Sequence, residues 1–85
     1  MSKFEKLKAR MQSLPSDFTY SEAKTLLEHL GFEEKNKGKT SGSRVCFYRE
    51  SDKRILMLHK PHPADIIKVG ALKSLVKQLM EWGEI

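Results

Sequence analysis

Apolar residues recur with helical spacing near both ends of the chain. The first apolar run has three- and four-residue steps and predicts a short amphipathic helix ended by Pro15; its members are Phe4, Leu7, Met11 and Leu14. A second run predicts a helix from Tyr20 to Leu30, with Thr19 and Glu22 as its capping box and Gly31 as its stop. The third run is Leu72, Leu75, Val76, Leu79 and Met80, and it predicts a helix from about Gly70 to Trp82, before Gly83.

The helical period disappears between the second and third runs. "FEEKNKG" is typical of a polar edge strand, in which Lys35 and Lys37 point the same way. "RVCFYR" and "RILMLH" are rich in strand-forming residues and flank the turn-forming "ESDK", so we expect them to pair antiparallel. Alternation then places Val45 and Phe47 on one face and Cys46 and Tyr48 on the other.

These elements predict an α+β fold of order α-α-β-β-β-α, with a three-stranded antiparallel sheet and the helices packed on one face. The length of 85 residues predicts a single domain over 1–85, with a helical extension at 1–15 and a core at 18–83. The apolar stripe of the first helix packs on this core or, as an alternative, forms a homodimer contact.

Composition favours a soluble cytoplasmic protein. No apolar run approaches the roughly 20 residues of a membrane helix, and the start of the chain lacks the apolar segment of a secretory signal. The single Cys46 excludes an internal disulfide, agrees with a reducing compartment, and is expected to be a small core hydrophobe.

Basic residues are concentrated in the middle of the chain. The net charge is +5, and no acidic residue occurs from Lys35 to Arg49. Such a surface favours phosphate, although edge-strand lysines also serve to prevent sheet-to-sheet aggregation, and both interpretations can hold together. Backbone amides at the start of the "KVGALK" helix form a further anion site. The predicted RNA-binding residues are Lys35, Lys37, Lys39, Ser43, Arg44, Lys60, Lys68 and Lys73.

Three segments of the chain form a recognisable combination: "LLEHLGFEEKNKGKTSGS", the strand that ends in "LH", and "IKVGALKSLVKQL". Together they resemble the HicA toxin family, in which the last segment is similar to "KPGTLRSILKQ". The resemblance extends from Tyr20 to Met80. It implies a fold like the double-stranded-RNA-binding domain, a type II toxin that binds and cleaves mRNA without a metal or other cofactor, and a HicB-like antitoxin as partner.

The family places its catalytic histidine directly after "GS", where this chain has Arg44. His59 resembles a second histidine of the family. Metal-free RNA cleavage needs a base, an acid and positive charge near the phosphorus. We therefore assign His59 as base or acid and Arg44 as the phosphate-holding residue, because arginine is a poor proton shuttle. As alternatives, Arg44 is a solvated strand residue and His59 is bonded to a loop carbonyl.

Two other functions stay open on the sequence alone. The chain is either a non-catalytic RNA-binding module or a domain that binds an acidic protein partner. His29 is expected to be a helix C-terminal residue without a catalytic role. No metal site is expected at His59 and His62, because Pro61 and Pro63 make that segment an irregular loop without further ligands.

Overall fold

The computed structural model describes residues 3–35, 44–59 and 65–85. It contains two helices, a three-stranded sheet and a last helix, which confirms the predicted α+β order. In chain order, the elements are α1 (Lys3–Gln12), α2 (Tyr20–His29), β1 (Glu33–Lys35), β2 (Arg44–Arg49), β3 (Arg54–His59) and α3 (Val69–Glu81).

The start of α2 has the predicted capping box. The Thr19 hydroxyl accepts a hydrogen bond from the Glu22 backbone N–H, and the Glu22 carboxylate accepts one from the Thr19 backbone N–H. These bonds satisfy amides that have no partner within the helix. Arg10 of α1 donates to the same carboxylate at 2.8 Å, and this bond lowers the pKa of Glu22. One acidic residue therefore both begins α2 and holds α1 beside it.

The sheet has the order β1-β2-β3, and both pairings are antiparallel. Val45 and Phe47 of β2 are buried, as are Leu56 and Leu58 of β3. The helices cover this face. The predicted faces of β2 are confirmed, but Cys46 is half-buried on the open face and is not a core residue.

Buried residues from all three helices complete one core. The stripe of α1 contributes Met11, which is fully buried, while Phe4, Leu7 and Leu14 pack against the core from its rim. The first helix therefore packs on its own chain; the homodimer contact stays a prediction. The other buried helical residues are Tyr20, Ala23, Leu26, Leu27, Leu72, Leu75, Val76 and Leu79.

Helix α3 runs antiparallel to β3. Arg54 at the start of β3 donates to the backbone carbonyl of Trp82, which caps the end of α3. Both elements are about 20 Å long, so the end of β3 at His59 lies toward the start of α3. The helix stops at Gly83, whose φ of +76° is a left-handed conformation that glycine adopts without strain.

Candidate nucleic-acid interface

The strand register brings Arg44 and His59 together. Arg44 is the first residue of β2 and His59 the last of β3, and the two are direct partners in the antiparallel ladder. Their Cα atoms are therefore about 5 Å apart. The adjacent Val45 and Leu58 face the core, so positions 44 and 59 lie on the open face. His59 is exposed; of Arg44 the structure describes the backbone only.

A short pairing outside the sheet fixes the start of α3. Ile66 bridges to Thr19, the Ile67 amide donates to the Phe18 carbonyl, and the Tyr20 amide donates to the Asp65 carbonyl. Ile67 is also buried in the core. Residues 65–67 are therefore bound to the start of α2, and the next residue, Lys68, begins α3 from a fixed position.

The start of α3 has the features of an anion site. Lys68 is the N-cap residue, its side chain makes no capping hydrogen bond, and the first turn contains no acidic residue. Lys68 and Lys73 are both exposed, and neither forms an ion pair within the described parts of the chain. The positive end of the α3 dipole and the charge of Lys68 therefore lie at the same end of the helix.

Lys35 lies at the same end of the sheet, because its ladder partner Cys46 is two residues from Arg44. Its Nζ is 3.1 Å from the Glu33 carboxylate, and both side chains are well exposed. The acid-free interval from Lys35 to Arg49 did not predict this partner, because Glu33 lies before the interval. The two-residue spacing within one strand was the available signal, since such residues share a face.

Four of the predicted RNA-binding residues lie outside the described residues: Lys37, Lys39, Ser43 and Lys60. The prediction that the side chains of Lys35 and Lys37 point the same way involves Lys37, so it also lies outside the described residues. The residues that the structure does bring to one end of the molecule are Lys35, Arg44, His59 and Lys68, with Lys73 one turn into α3. We call this end the basic end.

The open face between these charges is partly apolar. Ile55 is 56% exposed and Met57 is 52% exposed, and their ladder partners Tyr48 and Cys46 are half-buried on the same face. Alternation in "RVCFYR" predicted Tyr48 on this face, whereas the exposure of Ile55 and Met57 was not predicted. Strand alternation in "RILMLH" would have placed both opposite the buried Leu56 and Leu58.

The opposite end of the sheet contains two arginines that are fully engaged. Arg49 donates to the Glu84 and Asp52 carboxylates and to the Leu30 carbonyl. Arg54 donates to Glu84 and forms an ion pair with Asp52. Hydrogen bonding from Arg49 lowers the pKa of both carboxyl groups. We call these four residues the paired end.

His29 of α2 is remote from the basic end. Its ring stacks on Phe4 of α1, with a centroid distance of 4.2 Å. Within residues 3–35, 44–59 and 65–85, no three His, Cys, Asp or Glu residues are grouped so as to hold a metal ion. Over the same residues, no helix has the length and apolar content needed to cross a membrane.

Comparison with known proteins agrees with this architecture. The family described as the HicA toxin of bacterial toxin–antitoxin systems matches residues 20–80. This span starts at α2 and reaches the last turns of α3, so it includes the whole sheet and the basic end. Comparisons with curated proteins and with solved structures gave no match. Because the family model matches well over half of the chain, the chain belongs to the HicA toxin family.

Proposed function

We propose that this toxin binds mRNA at its basic end and cleaves the RNA there without a metal ion. The observation that carries the proposal is the register pairing of Arg44 with His59 on the open face. A residue that is always charged and an exposed histidine then occupy paired positions of the ladder. This is the pair that phosphodiester cleavage needs, one to hold the phosphate and one to move the proton.

The first step of the proposed reaction uses His59 as the base. Its imidazole takes the proton of a ribose 2′-hydroxyl, and the 2′-oxygen forms a bond to the adjacent phosphorus. The bond from phosphorus to the 5′-oxygen of the next nucleotide breaks. The imidazolium gives its proton to that leaving oxygen, so the products carry a 2′,3′-cyclic phosphate and a 5′-hydroxyl.

Arg44 has a different role in this proposal. Its guanidinium holds the non-bridging phosphate oxygens and balances the charge that develops on them. Lys68 and the amides at the start of α3 bind a neighbouring phosphate, while Lys73 and Lys35 add attraction at longer range. Phosphate contacts of this kind position the RNA without reading its sequence. Lys37, Lys39, Ser43 and Lys60 belong to the same proposed surface.

A non-catalytic RNA-binding module is the second candidate. The observation that favours it is Arg44, which stands where the family has its catalytic histidine. In that case the basic end binds RNA and His59 contributes no chemistry. Under either function the proposed protein partner is a HicB-like antitoxin, and the proposed setting is the cytoplasm.

Cleavage is tested by incubating the purified protein with a long unstructured RNA in EDTA. We expect fragments with cyclic phosphate ends from the wild type, none from His59→Ala, and wild-type cleavage from His29→Ala. His29 is the matched control because it is the other described histidine and lies away from the basic end. RNA affinity should be similar for all three proteins.

Intact RNA in every lane, together with salt-dependent binding, would overturn cleavage and leave the binding module. Arg44→His then tests whether Arg44 is the reason that the protein does not cleave RNA, since this variant restores the family's residue beside His59. Cleavage gained by this variant would show that the basic end is a nuclease site inactivated by Arg44. Cleavage by the wild type that persists in His59→Ala would remove His59 from the mechanism and keep the enzyme.

A further inference from the structure

The two edges of the sheet differ in how well they are protected. The described part of β1 consists of Glu33, Glu34 and Lys35, which are all charged, and charged edges discourage pairing with another strand. β3 is a regular six-residue strand, and no other strand of the described chain lies on its outer side. Its middle, from Ile55 to Leu58, contains no charge, no proline and no bulge. β3 is therefore the edge that is open to pairing.

A groove follows this open edge. It has a volume of about 490 Å³ and is lined on one side by the five consecutive residues from Ile55 to His59. The other side is the face of α3 that carries Ala71, Ser74, Leu75 and Gln78. Ala71 and Ser74 are small, so the helix leaves space beside the strand. A strand added to β3 would lie about 4.8 Å from it, between β3 and this helix face.

The polar groups that line the groove suit a polypeptide. An outer strand edge presents backbone N–H and C=O groups in alternation, and another extended backbone provides the complementary set. The flanking Ile55 and Met57 are on the open face and are more than half exposed, so their side chains leave this edge of β3 accessible. Nucleic acid offers no backbone N–H donors in this pattern.

The charges around the groove select the kind of polypeptide. β3 and the part of α3 from Val69 to Met80 contain basic and neutral residues but no acidic residue. Arg54 is already engaged by Glu84, whereas Lys68 and Lys73 form no ion pair within the described residues. A second copy of the chain would bring the same positive surface and be repelled. An acidic segment would instead be attracted to this positive surface.

We propose that the groove between β3 and α3 binds an extended segment of another protein, in which apolar and acidic residues alternate. The segment adds a fourth strand to the sheet at β3. Its apolar side chains pack beside Leu75 and Ala71, and its carboxylates meet the basic end. This docking surface does not depend on RNA cleavage, because its contacts run along the whole of β3 and not only at His59.

The test uses the full-length ¹⁵N-labelled protein and a synthetic seven-residue peptide of alternating glutamate and valine. We expect amide shifts in β3 and in α3 near Ala71 and Ser74, with slower hydrogen exchange of the outward-facing β3 amides. Two altered peptides should each bind at least about tenfold more weakly. One has lysine in place of glutamate, and in the other every amide that would face β3 is N-methylated.

Ser74→Gln fills the groove from the helix side. Ser74 is exposed and its hydroxyl donates to the Gly70 carbonyl of its own helix, so glutamine is tolerated there. We expect the glutamate–valine peptide to bind about tenfold more weakly to this variant. Thr25→Gln is the matched control, because Thr25 makes the same bond to the Ser21 carbonyl on α2. It should bind the peptide like wild type.

Several outcomes would overturn the proposal. These are no peptide-induced shift at millimolar concentration, shifts outside β3 and α3, or equal binding of the N-methylated peptide. A dimer in sedimentation that Ser74→Gln dissociates would assign the groove to a second copy. A short RNA that shifts the outward-facing amides in the middle of β3, from Ile55 to Leu58 and away from His59, would assign the groove to nucleic acid. Thermal unfolding at the wild-type temperature confirms that each variant is folded.

Discussion

The two ends of the sheet use the same kinds of charged residues in different ways. At the paired end, Arg49 and Glu84 are each only 13% exposed and bind each other. At the basic end, Lys68 and Lys73 are exposed and lack ion-pair partners within the described residues. Charge that is matched inside the fold contributes to stability, whereas unmatched charge on the surface remains free for a ligand. The comparison predicts that stability and RNA binding respond to different ends.

The largest expected effect comes from removing Arg49. Arg49→Ala removes a donor to the Glu84 and Asp52 carboxylates and to the Leu30 carbonyl, and leaves Arg54 as the arginine beside both carboxylates. It also removes a guanidinium that lies 4.7 Å from the centroid of the Phe32 ring. We expect a loss of about 3 kcal/mol in the free energy of unfolding, measured with urea, because the Glu84 carboxylate, which has little exposure, loses one of its two arginine partners and the Leu30 carbonyl loses its donor.

Lys53→Ala is the control for this prediction. Lys53 is well exposed and is 3.4 Å from Glu50, so its loss should change stability by less than about 0.5 kcal/mol. RNA affinity of the folded Arg49→Ala protein should equal that of wild type. A fall in RNA affinity without loss of stability would break the division between the two ends.

A smaller loss of stability is expected when Glu84 loses its charge, either in acid or by substitution. Hydrogen bonding from Arg49 lowers the pKa of Glu84, so the folded state holds this carboxylate ionised to lower pH than the unfolded chain does. Its stabilisation is complete above the unfolded pKa of about 4.3 and is lost as the pH falls through the lower folded value. Glu84→Gln should cost about 2 kcal/mol near neutral pH.

Urea unfolding of Glu84→Gln and wild type across the acid range measures this difference. The gap in stability between the two proteins should shrink as the pH falls below about 4, because Glu84 is then protonated first in the unfolded chain, and the gap should close once the folded carboxyl group is protonated as well. A gap that stays constant in acid would mean that Glu84 stabilises the fold by packing and not by charge.

The smallest expected effect comes from reversing the charge at the start of α3. Lys68→Glu should weaken binding to a short single-stranded RNA about tenfold and reduce its salt dependence, since one phosphate contact is lost. Stability should rise by about 0.5 kcal/mol, because a carboxylate suits a helix N-terminus and Lys68 makes no capping bond there.

Lys53→Glu reverses the same charge at the β2–β3 turn, away from the basic end. It should leave RNA affinity and its salt dependence nearly unchanged. Equal weakening by both substitutions would show that RNA responds to net charge, and the basic end would then have no special role in RNA binding.

Much of the fold follows from local patterns in the sequence. Apolar spacing located all three helices to within a residue or two, because burial of one helix face repeats every three to four residues. The Thr19 and Glu22 pair marked the start of α2 through bonds that act over three residues. Alternation in "RVCFYR" correctly separated the faces of β2, since side chains of a strand alternate regardless of its partners. The same motifs carried the resemblance that the family match over residues 20–80 confirms.

Long-range contacts decided what the local patterns left undetermined. The register that sets Arg44 opposite His59, the ion pairs that join Arg49 to Glu84, and the exposure of Ile55 and Met57 all depend on which residues meet across the fold. The expectation for Cys46 failed for this reason, because an apolar neighbourhood in the chain does not specify which face of a strand is covered. Sequence determines periodicity and capping through nearest neighbours, whereas tertiary packing determines which charges are neutralised and which remain available.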